Sequence, residues 1–205
     1  MTTKNRENNI ELELRAEVSS SQYEKLLTGL REEKRMLSHT KRLSAMFLGE
    51  INRSSFDLRV RIGSDGKIEL VAKKGDFHAH DRVEKSLEIS KSQFIGIVKI
   101  LSLFNFQSKI TERDNFVFNL GDDITMTLVK AGAIAYVEIE KMSNEKNLEE
   151  NKAELLDIID DFKLKRIKDG KEFNKLCERL TKCSDWAFDG SNDHIDRLKD
   201  ILESY

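Results

Sequence analysis

From Ile10 to about Lys141 the chain alternates charged and apolar residues in a succession of short stretches. In IELELRAEV, Glu11, Glu13 and Arg15 alternate with Leu12, Leu14 and Ala16. In a strand this places the charges on one face and the apolar residues on the other. The period then changes to that of a helix, with Ser21 and Glu24 reading as a capping box ahead of Tyr23, Leu26, Leu27 and Leu30. HTKRLSAMFLGEI reads as a strand that ends in a loop at Asn52 to Ser55. FDLRVRI and KIELVAKKG are joined by GSDG, a hairpin signal. DRVEKSLEIS is another alternating strand, and Ser90 with Gln93 caps a helix carrying Phe94, Ile97, Val98, Leu101 and Leu103. KITERDNFVFNL and ITMTLVKAG form a second hairpin around Gly121, Asp122 and Asp123, and AIAYVEIEK closes the β region. From about Asn144 the spacing turns helical, with Leu155, Ile158, Ile159 and Phe162, then Phe173, Leu176 and Leu180, then Ile195, Leu198 and Ile201. These elements predict an α+β chain: an antiparallel β domain over residues 1–143 with helices outside it, and a helical extension over residues 144–205 packed on that domain.

The parity of the charges says more than the strands do. Asp57, Arg59 and Arg61 oppose Leu58, Val60 and Ile62; Lys67, Glu69 and Lys73 oppose Ile68, Leu70 and Ala72, so Lys73 points inward and Lys74 outward. Arg82, Glu84 and Glu88 oppose Val83, Leu87 and Ile89. Lys109 and Arg113 share a face, and Glu138 and Glu140 oppose Val137 and Ile139. A half-solvated sheet would explain one such strand. Repetition in nearly every long strand, beside capped amphipathic helices that need an apolar surface, predicts that the apolar stripes face the helices and the charged stripes face one another.

Composition narrows the choices. Of 205 residues 35% are charged, yet the formal net charge is only -2, so no global field draws the chain to nucleic acid or a membrane. The start, MTTKNRENN, is polar, and no apolar run approaches the ~20 residues of a membrane span. A cytoplasmic protein is expected. Cys177 and Cys183 match no zinc spacing and are expected as thiols.

An enclosed charged surface is costly if dry, because an unpaired buried ion costs several kcal/mol. The expected solution is a wet cavity with a charged ligand. Arg15, Arg59, Arg61, Lys73, Arg82, Lys109 and Arg113 suit a polyanion such as a chain of phosphates, with arginine forks on nonbridging oxygens. Carboxylates among them would repel that ligand unless a hard divalent cation lies between. The Glu-x-Glu pairs at the two ends of the β region are then metal ligands.

At this point the residues resemble a known family. ELELR, from Glu11 to Arg15, is similar to the ExExK signature of the CYTH superfamily, the triphosphate tunnel metalloenzymes. LRVR resembles that family's Arg-x-Arg strand, VAKKG its lysine strand, RVE its Arg-x-Glu strand and YVEIEK its closing Glu-x-Glu strand, in the same order. The resemblance covers about Ile10 to Lys141 and rests on order and spacing together. It implies a closed antiparallel tunnel, an eight-stranded barrel, with acidic residues holding Mg²⁺ or Mn²⁺ and basic residues holding a triphosphate. By position, Glu11, Glu13, Glu138 and Glu140 would be metal ligands, with Glu84 a further acidic member. Arg15, Arg59, Arg61, Lys73, Arg82, Lys109 and Arg113 would contact phosphate, and Glu13, Glu84 and Arg15 would be catalytic.

Three departures from the family pattern stand out. Arg15 replaces the signature lysine; an Asp usual before the closing strand is missing, with Lys130 or a neighbour in its place; and Thr111 lies between Lys109 and Arg113 where many members have another base. Other motifs carry less. His78 and His80 have a spacing that could ligate metal but fall in a polar connection, and GSDG lacks the helix and Lys-Ser/Thr of a phosphate-binding loop. Phe173, Leu176, Trp186 and Phe188 are expected to pack the tail, and Lys163, Lys165, Arg166 and Lys168 to form a solvated helix face rather than an RNA contact.

The function expected is metal-dependent hydrolysis of a triphosphate-containing substrate: inorganic triphosphate, a nucleoside or thiamine triphosphate, or an RNA 5′ end. Cyclisation of ATP by an adenylate cyclase of the same type is the alternative within the fold. A noncatalytic triphosphate-binding module is the alternative outside enzymes. A monomer or homodimer without a membrane partner is expected.

Overall fold

A computed structural model of the chain describes residues 10–51, 54–75, 83–104, 106–144 and 146–205; the side chains of Ile10, Glu11, Ile51 and Val83 lie outside the description. The strands are β1 (Ile10–Val18), β2 (Met36–Ile51), β3 (Ser54–Gly63), β4 (Ile68–Lys74), β5 (Val83–Glu88), β6 (Gln107–Gly121), β7 (Ile124–Ala131), β8 (Ile134–Ser143), β9 (Lys165–Arg166) and β10 (Trp186–Ala187). The helices are α1 (Ser20–Glu32), α2 (Lys91–Leu101), α3 (Leu148–Asp161), α4 (Gly170–Cys183) and α5 (Asn192–Leu202).

Local chemistry accounts for most of the boundaries. Ser19, two residues before the predicted cap, begins α1: its Oγ accepts from Gln22 N at 3.2 Å while Gln22 Oε1 accepts from Ser19 N at 3.1 Å. Ser90 and Gln93 behave as predicted at α2, where Gln93 Oε1 accepts from Ser90 N at 2.9 Å. Between β6 and β7 both Asp122 and Asp123 have positive φ, 47° and 60°, the requirement of a tight hairpin turn that follows the strand twist. Gly49 is the cross-strand partner of Phe56, and a Cβ there would lie 2.5 Å from the Phe56 ring. The missing side chain lets that ring lie across β2 and stack edge-on with Phe106 at 5.1 Å.

The strands hydrogen-bond in the order β5-β4-β3-β2-β6-β7-β8-β1-β9, with β10 pairing β6 off this path. Two expectations are corrected here. The sheet is open and ten-stranded, not a closed eight-stranded barrel. Closure would need its end strands to exchange main-chain hydrogen bonds, whereas the second edge of β1 is taken by β9, and no pairing joins β5 to β1 or β9 among the described residues. The tail, in turn, is not helical throughout. Lys163 adopts φ 51°, ending α3, and Lys165 and Arg166, expected on a helix face, form β9 against Glu17 and Ala16. Two-residue strands are too short to show a period, which is why the spacing conceals β9 and β10.

The described residues divide into two compact units. One comprises the residues up to Ser38, Phe116–Val129 and Ala135–Lys168. Its core packs Leu12, Leu14 and Ala16 of β1 with Val137 and Ile139 of β8, beneath Tyr23, Leu27 and Leu30 of α1 and Leu155 and Ile159 of α3. The other comprises His39–Asn115, Lys130–Ile134 and Asp169–Tyr205. Its core packs Leu43, Ala45 and Phe47 of β2, Val60 and Ile62 of β3 and Ile110 of β6 beneath Phe94 and Val98 of α2 and Ile195, Leu198 and Leu202 of α5. In both units the apolar stripes lie under helices, as the alternation predicts, and the tail supplies core residues to each. Phe188 and Leu176 are buried and Trp186 is half-buried, in keeping with a packing role.

Leu198, fully buried in the second core, tests the contribution of the tail. Leu198→Ala is expected to destabilise the protein by about 2–5 kcal/mol, the usual range for truncating a buried leucine. Leu103→Ala, at a position 84% exposed, is expected to stay within about 0.5 kcal/mol of the parent. Urea denaturation of both variants reads the difference.

Candidate functional site

In the first unit β1 and β8 pair antiparallel with Glu13 opposite Glu140 and Arg15 opposite Glu138. Alternation puts all four side chains on the face away from the apolar core. Like charges directly opposite in a sheet are destabilising, yet Glu13, Glu138 and Glu140 bring carboxylate oxygens within 4.8 Å of one another. Arg15 mitigates this: its Nη2 lies 2.5 Å from Glu13 Oε1 and its Nε donates to Glu138 Oε1 at 3.2 Å. Arg15, Glu13 and Glu138 are each about one quarter exposed. Burial, then the charge of Glu138, pushes the Glu13 carboxyl up to about 9, with Glu140 adding to the effect and Arg15 opposing it. Burial depresses the Arg15 guanidinium, but Glu138 and Glu13 outweigh it and the net direction is up.

Three crowded carboxylates, one of them driven to keep its proton, make the donor set of a hard divalent cation, whose charge would offset their repulsion. The residues therefore fit a hard divalent cation. Glu13, Glu138 and Glu140 are brought together; the side chain of Glu11 lies outside the described residues.

In the second unit the charged faces of β3, β4 and β5 form rows. Asp57, Lys73 and Glu84 are successive cross-strand partners, as are Arg59, Val71 and Ser86, and Arg61, Glu69 and Glu88. Each base in these rows is gripped by an acid. Asp57, its carboxylate fully buried, accepts from Arg59 Nε at 2.9 Å and from Nη2 at 2.5 Å. Glu69 accepts from Arg61 Nε at 2.9 Å and lies 2.8 Å from Lys67 Nζ. Burial would raise the Glu69 carboxyl, but Lys67 and Arg61 prevail and hold it below the ordinary carboxylate range. Lys73 Nζ lies 2.5 Å from Glu84, which is also 3.9 Å from Arg61. Lys73 is half-buried and Lys74 exposed, as parity requires. Glu84 is brought into this row as a partner of Lys73.

The bases of β6 have a partner that the strand pattern does not reveal. Lys109 Nζ and Arg113 Nη1 each lie 2.7 Å from Asp185, one on each carboxylate oxygen. Asp185 follows α4 in the tail, outside the stretch covered by the motif resemblance. Its one sequence signal is the single-residue step to Trp186, which starts β10. Burial alone would raise its carboxyl, but hydrogen bonds and charge from Arg113 and Lys109 win and lower it. Lys130 lies on β7, half-buried. Arg82, His78 and His80 fall outside the described residues.

No protein-family model matches this chain, and no curated protein does. Solved structures match it over most of their length. PH1012 protein from Pyrococcus horikoshii aligns at 18% identity with a TM-score of 0.58, over 76% of this chain and 92% of that one. A putative adenylate cyclase from Vibrio parahaemolyticus aligns at 17% identity and 0.57, over 81% and 98%. HpAC1 from Hippeastrum, a putative adenylyl cyclase described as having a dominant triphosphatase activity, aligns at 17% identity and 0.51, over 79% and 91%. At these identities the likeness is one of fold alone: the chain shares the architecture of these proteins over most of their length.

Proposed function

We propose that the protein is a divalent-metal-dependent triphosphatase of the cytosol, acting on the terminal phosphoryl group of a triphosphate-containing substrate. One observation carries this reading: the Glu13, Glu138 and Glu140 cluster, where like charges are forced together beside Arg15 by strand register on a fold shared with a protein described as a triphosphatase. Glu13, Glu138 and Glu140, with Glu11 by motif position, are assigned to hold Mg²⁺ or Mn²⁺. When bound, the cation would supply charge neutralisation for phosphate oxygens. Arg15 grips a phosphate oxygen and restrains the Glu13 and Glu138 side chains. Arg59, Arg61, Lys73, Lys109 and Arg113, together with Arg82 by motif position, are assigned as phosphate contacts. Glu13 orients the attacking water, and Glu84, bound to Lys73, keeps that ammonium placed. Phosphoryl transfer needs little more than such positioning and charge stabilisation.

Incubation with tripolyphosphate, ATP, an RNA 5′-triphosphate and thiamine triphosphate under Mg²⁺ or Mn²⁺ tests the reaction class. Phosphate release supports the proposal, cyclic nucleotide would establish a cyclase, and binding without product would establish a noncatalytic module.

Glu140→Gln, which removes charge and keeps size, is expected to abolish turnover with little loss of stability. Turnover by the parent in excess chelator, with metal content verified as absent, would overturn the metal assignment.

The raised Glu13 carboxyl gives a pH dependence with a definite sign. Between an unfolded value near 4.5 and a folded one of about 9, the folded chain holds a proton that the unfolded chain releases. The metal-free protein therefore loses stability from this group as pH rises through that window. Glu13→Gln is expected to raise the melting temperature relative to the parent more at pH 8 than at pH 5 in chelator. An equal difference at both pH values would mean that Glu13 ionises normally.

Arg59→Ala and Arg61→Ala are each expected to lower kcat/KM for a triphosphate by on the order of 10²-fold, at ~1.4 kcal/mol per decade. A change confined to KM would mark a ground-state contact, and a fall in kcat one that strengthens in the transition state. Folded variants with parental kinetics would remove β3 from the site.

A further inference from the structure

A buried carboxylate shared by two bases lies where the tail meets β6. β10 pairs β6 with Trp186 opposite Ile110 and Ala187 opposite Lys109. Continued by one residue, that register sets Asp185 opposite Thr111, between Lys109 and Arg113 on the same strand face. Thr111 is buried beneath this contact. The Asp185 carboxylate is fully covered, and its two oxygens are divided between the two bases at 2.7 Å each. The surroundings are fixed as well. Ser184 N and Asp185 N both donate to Leu180 O at 2.9 Å, closing the end of α4. Lys109 Nζ also donates to Thr181 Oγ1 at 3.2 Å, and Arg113 Nη1 donates to Glu112 O at 2.9 Å and to Ser184 Oγ at 3.4 Å.

We infer that Asp185 is a positioning residue for the phosphate-binding bases of β6, setting the separation and direction of the Lys109 and Arg113 head groups. This rests on the assignment of those bases as phosphate contacts under the triphosphatase reading. Anchoring the tail is a poor explanation for the arrangement. A buried ion pair seldom stabilises a fold better than apolar residues of similar volume, so its presence calls for another use. The tail is moreover already held by Phe188, Ile195, Leu198 and Leu202 in the second core. A flexible lysine and a long arginine lose their freedom before ligand arrives, which lowers the ordering cost on binding. Two bases against one acid leave a net positive charge to face an anion.

The consequence is a split in kinetic constants. Asp185→Asn keeps the shape but removes the negative charge, and its amide can accept from one base only while its N–H groups confront the other. Triphosphate should bind as well as before or more tightly, since the local positive charge rises. Turnover should fall because the bases lose their direction. In the full chain, with tripolyphosphate and Mg²⁺ or Mn²⁺, Asp185→Asn is expected to lower kcat by about tenfold or more with KM unchanged or lower. Lys109→Met and Arg113→Met, which remove a base outright, should raise KM as well as lower kcat. Asp185→Asn combined with Lys109→Met should lose less than the product of the single losses, because the pair acts together.

An Asp185→Asn variant with kcat within twofold of the parent, or with raised KM and intact kcat, overturns the positioning role while impaired Lys109→Met and Arg113→Met leave the base assignment standing. Parental behaviour of both base variants, or a parent that neither binds nor hydrolyses tripolyphosphate, overturns the underlying reading and this inference with it. Should Asp185→Asn fail to fold, the Thr181→Val, Ser184→Ala double variant weakens the same hold from outside. It is expected to lower kcat by about threefold without raising KM, and unchanged kcat overturns the inference.

Discussion

A charge can be kept on a covered sheet face only beside an opposite one, and that constraint organises the rest of the molecule. Arg15 lies against Glu13 and Glu138, Arg59 against Asp57, Arg61 against Glu69, Lys73 against Glu84, and Lys109 and Arg113 share Asp185. Most partners come from the same strand or the next one, so a period of two and an antiparallel register already produce the pairing. The first unit is where the balance breaks. Three carboxylates there share the one arginine of their own two strands' rows, and the imbalance shows as a carboxyl that resists ionisation. The excess of negative charge marks the place where a cation would be most strongly retained.

For the phosphate-binding surface proposed above, pairing has a cost and a benefit. Each base is partly neutralised, so the long-range pull on an anionic substrate is weaker than a count of arginines and lysines suggests. Each base is also aimed. Preorganised donors and charges need no rearrangement when charge moves in the transition state, which is the form of electrostatic help that raises turnover rather than affinity. The bidentate grip of buried Asp57 on Arg59 is the clearest instance.

The legible parts of the fold were those with a long period. β1, β3, β4 and β8 were readable because eight or so alternating positions separate the faces unambiguously, and the helices because their apolar spacing repeats over several turns. Parity put Glu13, Glu138 and Glu140 on charged faces, and the ordered motifs, rather than the period itself, suggested that the two strands' acids belong together. The cap of α1 was misplaced by two residues because Ser19, Ser20 and Ser21 offer equivalent hydroxyls, and the choice falls to whichever reaches Gln22 N. Asp185 could not be foreseen: its partners are 76 and 72 residues away, and it enters through a strand of two residues that has no period to read. The open sheet has the same origin, because a residue pair distant in sequence takes the strand edge that closure would have used.

That small strand has a further consequence for the life of the protein among other chains. β1 carries Glu13 and Arg15 and would, without β9, end the sheet at a row of unpaired amides and carbonyls around Arg15 and Glu17. β9 covers that row at Ala16 and Glu17, and Ile167 N donates to Arg15 O at 2.8 Å. Exposed strand edges recruit other strands into aggregates. The run from Lys163 to Lys168 thus serves as an edge guard, with lysine side chains facing outward, and a single protease cut in this basic segment would expose the sticky margin of the very strand that holds the acidic cluster.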